Sequence, residues 1–361
     1  MVCIAAFIVL CLISVFVAIL SIFKRDIGKK YWKVFKKSWS CVGKRVTLQK
    51  CETGFKDDVK NLLLKKVVIK HPKLVKPLSV TIEVASILIV FVSVWSLVEA
   101  SKAGLALWTL GTCNVQRPSA CSLGAEVCSI DGDAGPQNII EHVEYWFSDW
   151  GEIFGAVPDK FRSWDTEQFD FTGIKLSSDK EGAKSAIDIF DPGCAVCLQS
   201  YKKQLASGFL EENNVLLVPF PIKDAEGNYK FKNSRLISAY ILATDMQGAP
   251  IDSDDSDSEV TPAYKIINRI FMEQNEEHHS YQDIFNNELS EEEAEELLLK
   301  WLKEFGYHTA ERSEITARAK SDQITEILEK NNNIVVNDIH AKGIPTMIYD
   351  NKKHTGRFEE K

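Results

Sequence analysis

Residues 3–23 form a run of 21 apolar or small residues without a single charge. A helix rises about 1.5 Å per residue, so this run spans about 30 Å, the thickness of a bilayer's hydrocarbon core. A cleaved signal peptide needs basic residues before the apolar run and small residues at a cleavage site. Here the run begins beside Met1, and Lys24 and Arg25 follow it. The pattern predicts a retained transmembrane helix. Residues 78–98, LSVTIEVASILIVFVSVWSLV, predict a second. Their one charge, Glu83, lies near the basic end, where it can reach the interface or pair with a lysine. Trp95 and Trp108 suit the far interface. A buried helix of a soluble domain is the rival reading for this second run.

Charge is distributed unevenly. Residues 24–77 hold 17 Lys and Arg against 4 Asp and Glu, a net of +13. The whole chain carries −8, and residues 1–23 carry nothing, so residues 78–361 carry −21. Short Lys- and Arg-rich loops stay on the cytoplasmic side of a membrane. The expected topology is therefore two-pass, with the N-terminus and everything after about residue 100 extracytoplasmic and residues 24–77 cytoplasmic. A Lys-rich run with interleaved aromatics also suits nucleic acid. Between two apolar spans, attraction to an anionic lipid bilayer explains it better, and no nucleic-acid partner is expected. Cys41 and Cys51 fall on the reducing side and are expected as ordinary thiols. With only His71 nearby, they lack the ligand count of a zinc site.

The exported part begins with a linker over 102–136, rich in Gly, Ser, Pro and Cys. An aromatic segment follows at 139–164, with Ile139, Val143, Trp146, Phe147 and Trp150 at helical spacing. It can lie against the membrane or pack on the next domain, and packing is favoured. From Ser185 the pattern is of strand, turn, helix and strand. SAIDIF is a short apolar run; DPGCAVC is a turn. LQSYKKQLASGFLEE has Leu198, Tyr201, Leu205 and Phe209 on one helical face, and NNVLLVPFPI is a continuous apolar strand. That order predicts a βαβ unit with parallel strands. The stretch 232–330 reads as mostly helical, and Ser290 with Glu293 forms a capping box. Two strands, TMIY (346–349) and TGRFE (355–359), end the chain, joined by DNKK.

Cys194, Ala195, Val196 and Cys197 form a CxxC at the strand-to-helix junction. The first sulfur then sits at a helix N-terminus, where free N–H groups and the positive dipole end favour a thiolate. A zinc ribbon needs a second close pair, which Cys113, Cys121 and Cys128 do not supply. Covalent haem needs His at 198, where Leu stands. A structural disulfide remains a rival. No cofactor and no metal are expected.

The surrounding residues resemble the thioredoxin superfamily, and DsbA-type thiol oxidoreductases in particular. Residues 187–194, IDIFDPGC, look like that family's first active-site strand and turn. Asp188, six residues before Cys194, matches its buried proton-handling carboxylate. Gly343, Ile344, Pro345 and Thr346 resemble its cis-proline loop, and the long helical stretch resembles its helical insertion. The resemblance covers about 185–361. It implies an α/β, thioredoxin-like fold with a helical insertion at about 232–330, preceded by two transmembrane α-helices.

The resemblance also implies residue roles. Cys194 forms a mixed disulfide with a substrate thiol, and Cys197 resolves it, so that Cys194 and Cys197 are the redox-active disulfide. Asp188 takes the proton from Cys197. Pro345, after a cis bond, faces the disulfide, while Ile344 and Thr346 bind an extended substrate. Ala195 and Val196 add no polar group, so the helix terminus alone predicts moderate thiolate stabilisation. The helix that ends the family's domain has no counterpart before Lys361, so either an upstream segment such as 139–164 completes the fold or the domain is trimmed.

Cys113, Cys121 and Cys128 are expected to give one local linker disulfide and one cysteine that is free or held by a relay partner. The acidic run 252–259 is a candidate calcium loop, although a solvated loop fits its spacing better. Residues 276–279, EEHH, read as a charged helix surface, and Cys3 and Cys11 as apolar residues in the membrane. The expected function is a membrane-anchored thiol–disulfide oxidoreductase acting on thiol- or disulfide-containing exported proteins. A reductant in a relay with a membrane redox partner is the enzymatic alternative. A non-catalytic binding or scaffold module with a structural disulfide is the other.

Overall fold

The computed structural model describes residues 7–11, 25–46, 64, 74–121, 126–130, 138–224, 226–251 and 260–359. The chain divides into two compact units, residues 1–101 and 102–361. In the first, helix α1 (Arg25–Val46) covers much of the basic segment. Of the first expected span only residues 7–11 are described, as helix; the rest lies outside the described residues. Helix α2 (Val75–Leu110) contains the second span. Among the described residues it is the one helix long and apolar enough to cross a membrane. Val80, Phe91 and Leu97 on it are all more than 60% exposed, which rules out the buried helix of a soluble core.

In the second unit a five-stranded sheet has the order β2-β4-β3-β6-β7, formed by β2 (Ile174–Lys175), β3 (Ser185–Phe190), β4 (Asn214–Pro219), β6 (Thr346–Tyr349) and β7 (Lys352–Thr355). Strands β3 and β4 run parallel, and helix α4 (Ala195–Ala206) lies between them in the chain. β6 pairs antiparallel with β3, and β7 with β6. A separate two-stranded ladder joins β1 (Cys128–Ser129) to β5 (Gly343–Ile344). The expected strand 185–190 is reproduced residue for residue. β3 is the central strand, buried at every position after Ser185, which explains why Asp188 is its one charged residue.

Cross-strand pairing assigns the faces. Asp188 pairs with Met347, and its side chain meets Gln204 of α4, so these residues share the α4 face. Ile187, Ile348 and Lys353 form a row on the other face. There Lys353 Nζ lies 4.8 Å from the Trp164 ring and donates to the Ile339 carbonyl. Trp164 stacks on Phe169, so residues 164–171 cover this face.

The helical insertion is α5 (Ser234–Gln247), α6 (Pro262–Met272), α7 (Glu291–Glu304), α8 (Thr309–Ala319) and α9 (Asp322–Asn333). Helix α5 is its axis, with ten of the eleven positions from Ser234 to Thr244 buried, all but Arg235. The Ser290–Glu293 capping box opens α7 as expected. Tyr201 of α4 packs against Phe271 of α6 at 5.2 Å, tying the insertion to the sheet layer.

Several expectations need correction. Helix α2 continues to Leu110, into the expected linker, and the loop beyond it is closed by a Cys113–Cys121 disulfide. The aromatic segment forms helix α3 (Ile139–Gly155), but only Asp149 and Ile153 on it are buried. Ile153 and Ala156 pack on Ala106 and Leu110, while Ile139, Ile140, Val143, Phe147 and Phe154 stay exposed. Helix α3 therefore does not complete the sheet domain; of the 139–164 segment, Trp164 at its end does cover the sheet face opposite α4. On the α4 face that role falls to the tail, where the Phe358 N–H donates to Ser200 Oγ and its ring meets Phe209. The last hairpin turns on Asp350 and Asn351, both at positive φ, so β7 is 352–355 and residues 356–359 are not strand. Residues 276–279 form a tight turn rather than a helix surface, with the Asn275 N–H bonded to the His279 carbonyl. Cys41, expected as a thiol, is disulfide-bonded. The acidic run 252–259 also lies outside them.

Candidate active site

The site starts from the turn DPG before Cys194. Asp191 is fully buried, and its two oxygens accept the N–H groups of Gly193 and Ile222, each at 2.7 Å. The Cys194 N–H donates to the Asp191 carbonyl. This Asx turn closes the end of β3 against the segment after β4 and delivers Cys194 to the N-cap of α4. Burial pushes Asp191 up to about 7 despite these bonds.

The insertion supplies the outer wall. Gln282 Nε2 donates to the carbonyls of Pro192 (2.8 Å) and Cys194 (3.1 Å), and Asn286 Nδ2 to that of Gly193 (2.8 Å). A Cβ at Gly193 would lie 2.4 Å from Phe231 Cβ, so only glycine fits the turn against this wall. Three successive backbone carbonyls are thus held by two amide side chains about ninety residues away. The sequence marks 191–193 as a turn without singling out Asp191, and nothing in the polar insertion distinguishes Gln282 or Asn286.

Cys197, in the first turn of α4, is buried and free. Burial, with a smaller contribution from the carboxylates of Asp188 and Asp191, pushes its thiol well up. Asp188 lies below the helix, with Oδ2 accepting from Gln204 Nε2 at 2.8 Å. Its Oδ1 has no hydrogen-bond partner among the described residues, and burial lifts the group to about 6. A carboxyl that exchanges its proton near neutrality under a buried thiol is suited to proton transfer.

The Ile344–Pro345 peptide is cis. Thr346 is buried, and its hydroxyl donates to the Gly343 carbonyl at 2.7 Å, bracing the loop from inside rather than facing a substrate. The Gly356 N–H donates to the Pro345 carbonyl. Ile344 is paired, not free: Cys128 of β1 lies opposite it, and Ser129 opposite Gly343.

The cysteine pairing departs from expectation. Cys194 is joined to Cys128, not to Cys197. The same cysteine that bonds Cys194 is in register with Ile344, so the structure brings the CxxC and the cis-proline loop together through Cys128. The strand also buries Cys194 completely. Sixty-six residues separate the two cysteines, and no local spacing could have paired them.

Comparison with protein-family models gives no match, and comparison with curated proteins gives none either. Solved structures do match over about half of the chain. The thiol-disulfide exchange protein alpha-DsbA2 from Wolbachia pipientis is 17% identical, with a TM-score of 0.33, over 51% of this chain and 80% of that one. MdbA, a thiol-disulfide oxidoreductase from Corynebacterium matruchotii, gives 16% and 0.34, over 50% and 81%. DsbA from Pseudomonas aeruginosa gives 14% and 0.30, over 52% and 83%.

Proposed function

We propose that the chain is a membrane-anchored thiol–disulfide oxidoreductase whose reacting pair is Cys194 and Cys197. One observation carries this reading: Cys194 caps α4 and is already bonded to a cysteine that lies in register with Ile344, the residue before cis Pro345. An extended strand presenting a cysteine there is the geometry of a mixed disulfide. Cys194 is the sulfur that substrates exchange with, and Cys197 displaces them. Asp188 accepts the Cys197 proton, which makes the buried thiol nucleophilic. Pro345 has no N–H to compete for the strand, and Ile344 offers its backbone to the substrate.

The substrates are exported proteins with exposed thiols or disulfides. Helix α2 anchors the domain, and the exposed apolar side of α3 lies in the bilayer interface beside it, with Asp149 tied inward to Lys102 at 2.5 Å. The two-pass topology places residues 24–77 in the cytoplasm. The disulfide at Cys41 speaks against that placement, because disulfides are rare in reducing compartments.

A Cys128→Ser/Cys197→Ala variant of the full chain, expressed in its own cells, should accumulate disulfide-linked exported proteins on Cys194, because neither cysteine that could hold or release it is left. Failure of this variant to retain any partner, with Cys194 reachable to alkylation, would favour the second reading. That reading is a binding module in which Cys128–Cys194 is a staple, and the complete burial of Cys194 is the observation in its favour.

A further inference from the structure

The strand that covers Cys194 is built like a substrate. Cys128 and Ser129 pair antiparallel with Ile344 and Gly343, and the Ile130 N–H donates to the Lys342 carbonyl, extending the ladder by one residue. Val127 packs so closely on Gly343 that a Cβ there would lie 2.7 Å from Val127 Cβ. Val127, Ser129 and Ile130 are buried; Cys128 is half-buried. Glu126 is paired to Arg357 at 3.2 Å. Beyond the Cys194 sulfur stands a free thiol, Cys197, on the same helix turn.

We infer that Cys128 is a third redox cysteine and that its strand is an intramolecular substrate, which closes the site until thiol exchange within the chain releases it. This rests on the oxidoreductase reading and adds to it a partner for Cys194 that the chain itself supplies. In the closed form Cys128–Cys194 is the disulfide and Cys197 is a thiol. Opening needs no external oxidant or reductant. Cys197 loses its proton to Asp188, and its thiolate attacks the Cys194 sulfur. The Cys194–Cys197 bond forms as the Cys128–Cys194 bond breaks, and Cys128 leaves as a thiolate that takes up a proton. One thiol hydrogen and one disulfide are conserved throughout.

Once released, the strand frees the backbone of Gly343 and Ile344. The segment that replaces it is an extended polypeptide running antiparallel to β5, with its cysteine opposite Ile344 and the following residue opposite Gly343. Exchange with Cys128 gates access for such segments. Burial of the Cys197 thiol keeps it protonated and slows the opening attack.

The test uses the full chain in detergent, purified without reductant, its free thiols blocked by N-ethylmaleimide and its disulfides mapped by mass spectrometry. Wild-type protein should yield a Cys128–Cys194 cross-link with Cys197 alkylated, and Cys197→Ser should yield the same cross-link. Cys128→Ser should yield Cys194–Cys197 and exchange faster with an extended cysteine-containing peptide, by about tenfold if the wild-type site is open in about a tenth of molecules. Gly343→Ala keeps every cysteine but pushes Val127 away, and should shift the map and rate in the same direction. It keeps the test decisive if Cys128→Ser does not fold. A Cys194–Cys197 disulfide in active wild-type protein, with neither variant faster, overturns the third-cysteine inference and leaves the oxidoreductase reading standing. Absence of exchange in all forms, with Cys128–Cys194 intact, overturns both and leaves a staple.

Discussion

A carboxyl in the middle of a fully buried strand loses its hydration, and that loss is larger than the one hydrogen bond Asp188 gains from Gln204. Its folded pKa of about 6 stands above the ordinary 3.8, so the folded state holds the proton more tightly than the unfolded one. The stability this contributes is full below about pH 3.8 and is lost as pH rises through about 6. The loss is on the order of 2–3 kcal/mol. Asp188→Asn should therefore raise the thermal midpoint of the full chain by several degrees at pH 8 and leave it unchanged at pH 3.5. A residual slope near pH 7 should survive, because Asp191 is lifted to about 7 and is untouched. The same variant should slow release of a trapped substrate from Cys194, since Cys197 loses its proton acceptor. A midpoint unaffected by the substitution at pH 8 would contradict a buried, titrating Asp188.

At the scale of elements, the site is held from outside by the insertion. Gln282 donates to two carbonyls of the turn that presents Cys194. Gln282→Leu leaves the Pro192 carbonyl buried without its donor, at a cost of roughly 1–3 kcal/mol, while the Cys194 carbonyl keeps the Leu198 N–H. The expected result is a lower denaturation midpoint together with faster alkylation of Cys194 in reduced protein. A drop in midpoint with an unchanged alkylation rate would assign Gln282 a purely structural part.

For the whole molecule, the asymmetry of charge and the exposed apolar helix α2 set the topology prediction. Lys33 on α1 and Lys300 on α7 are both exposed. In intact cells, a membrane-impermeant maleimide should label Lys300→Cys and not Lys33→Cys. Labelling of both would account for the disulfide at Cys41 and would remove the two-pass arrangement, while leaving the anchor and the site unaffected.

Much of this was legible from local pattern. Period, charge and length located the α2 span, β3, the CxxC helix, the capping box at Ser290 and the strand at 346–349, because each is decided by neighbours within a few residues. The resemblance extended this to the cis bond at Pro345. What the sequence could not contain was pairing at a distance. Cys128 is opposite Ile344 and bonded to Cys194 only because three segments far apart in the chain converge. Gln282 and Asn286 look like any polar residues on a helical surface until folding brings the 192–194 carbonyls to them. Local physics determines which elements form and where a reactive sulfur can stand. Contacts between distant segments, which no spacing rule encodes, decide which partner that sulfur holds and whether a substrate can reach it.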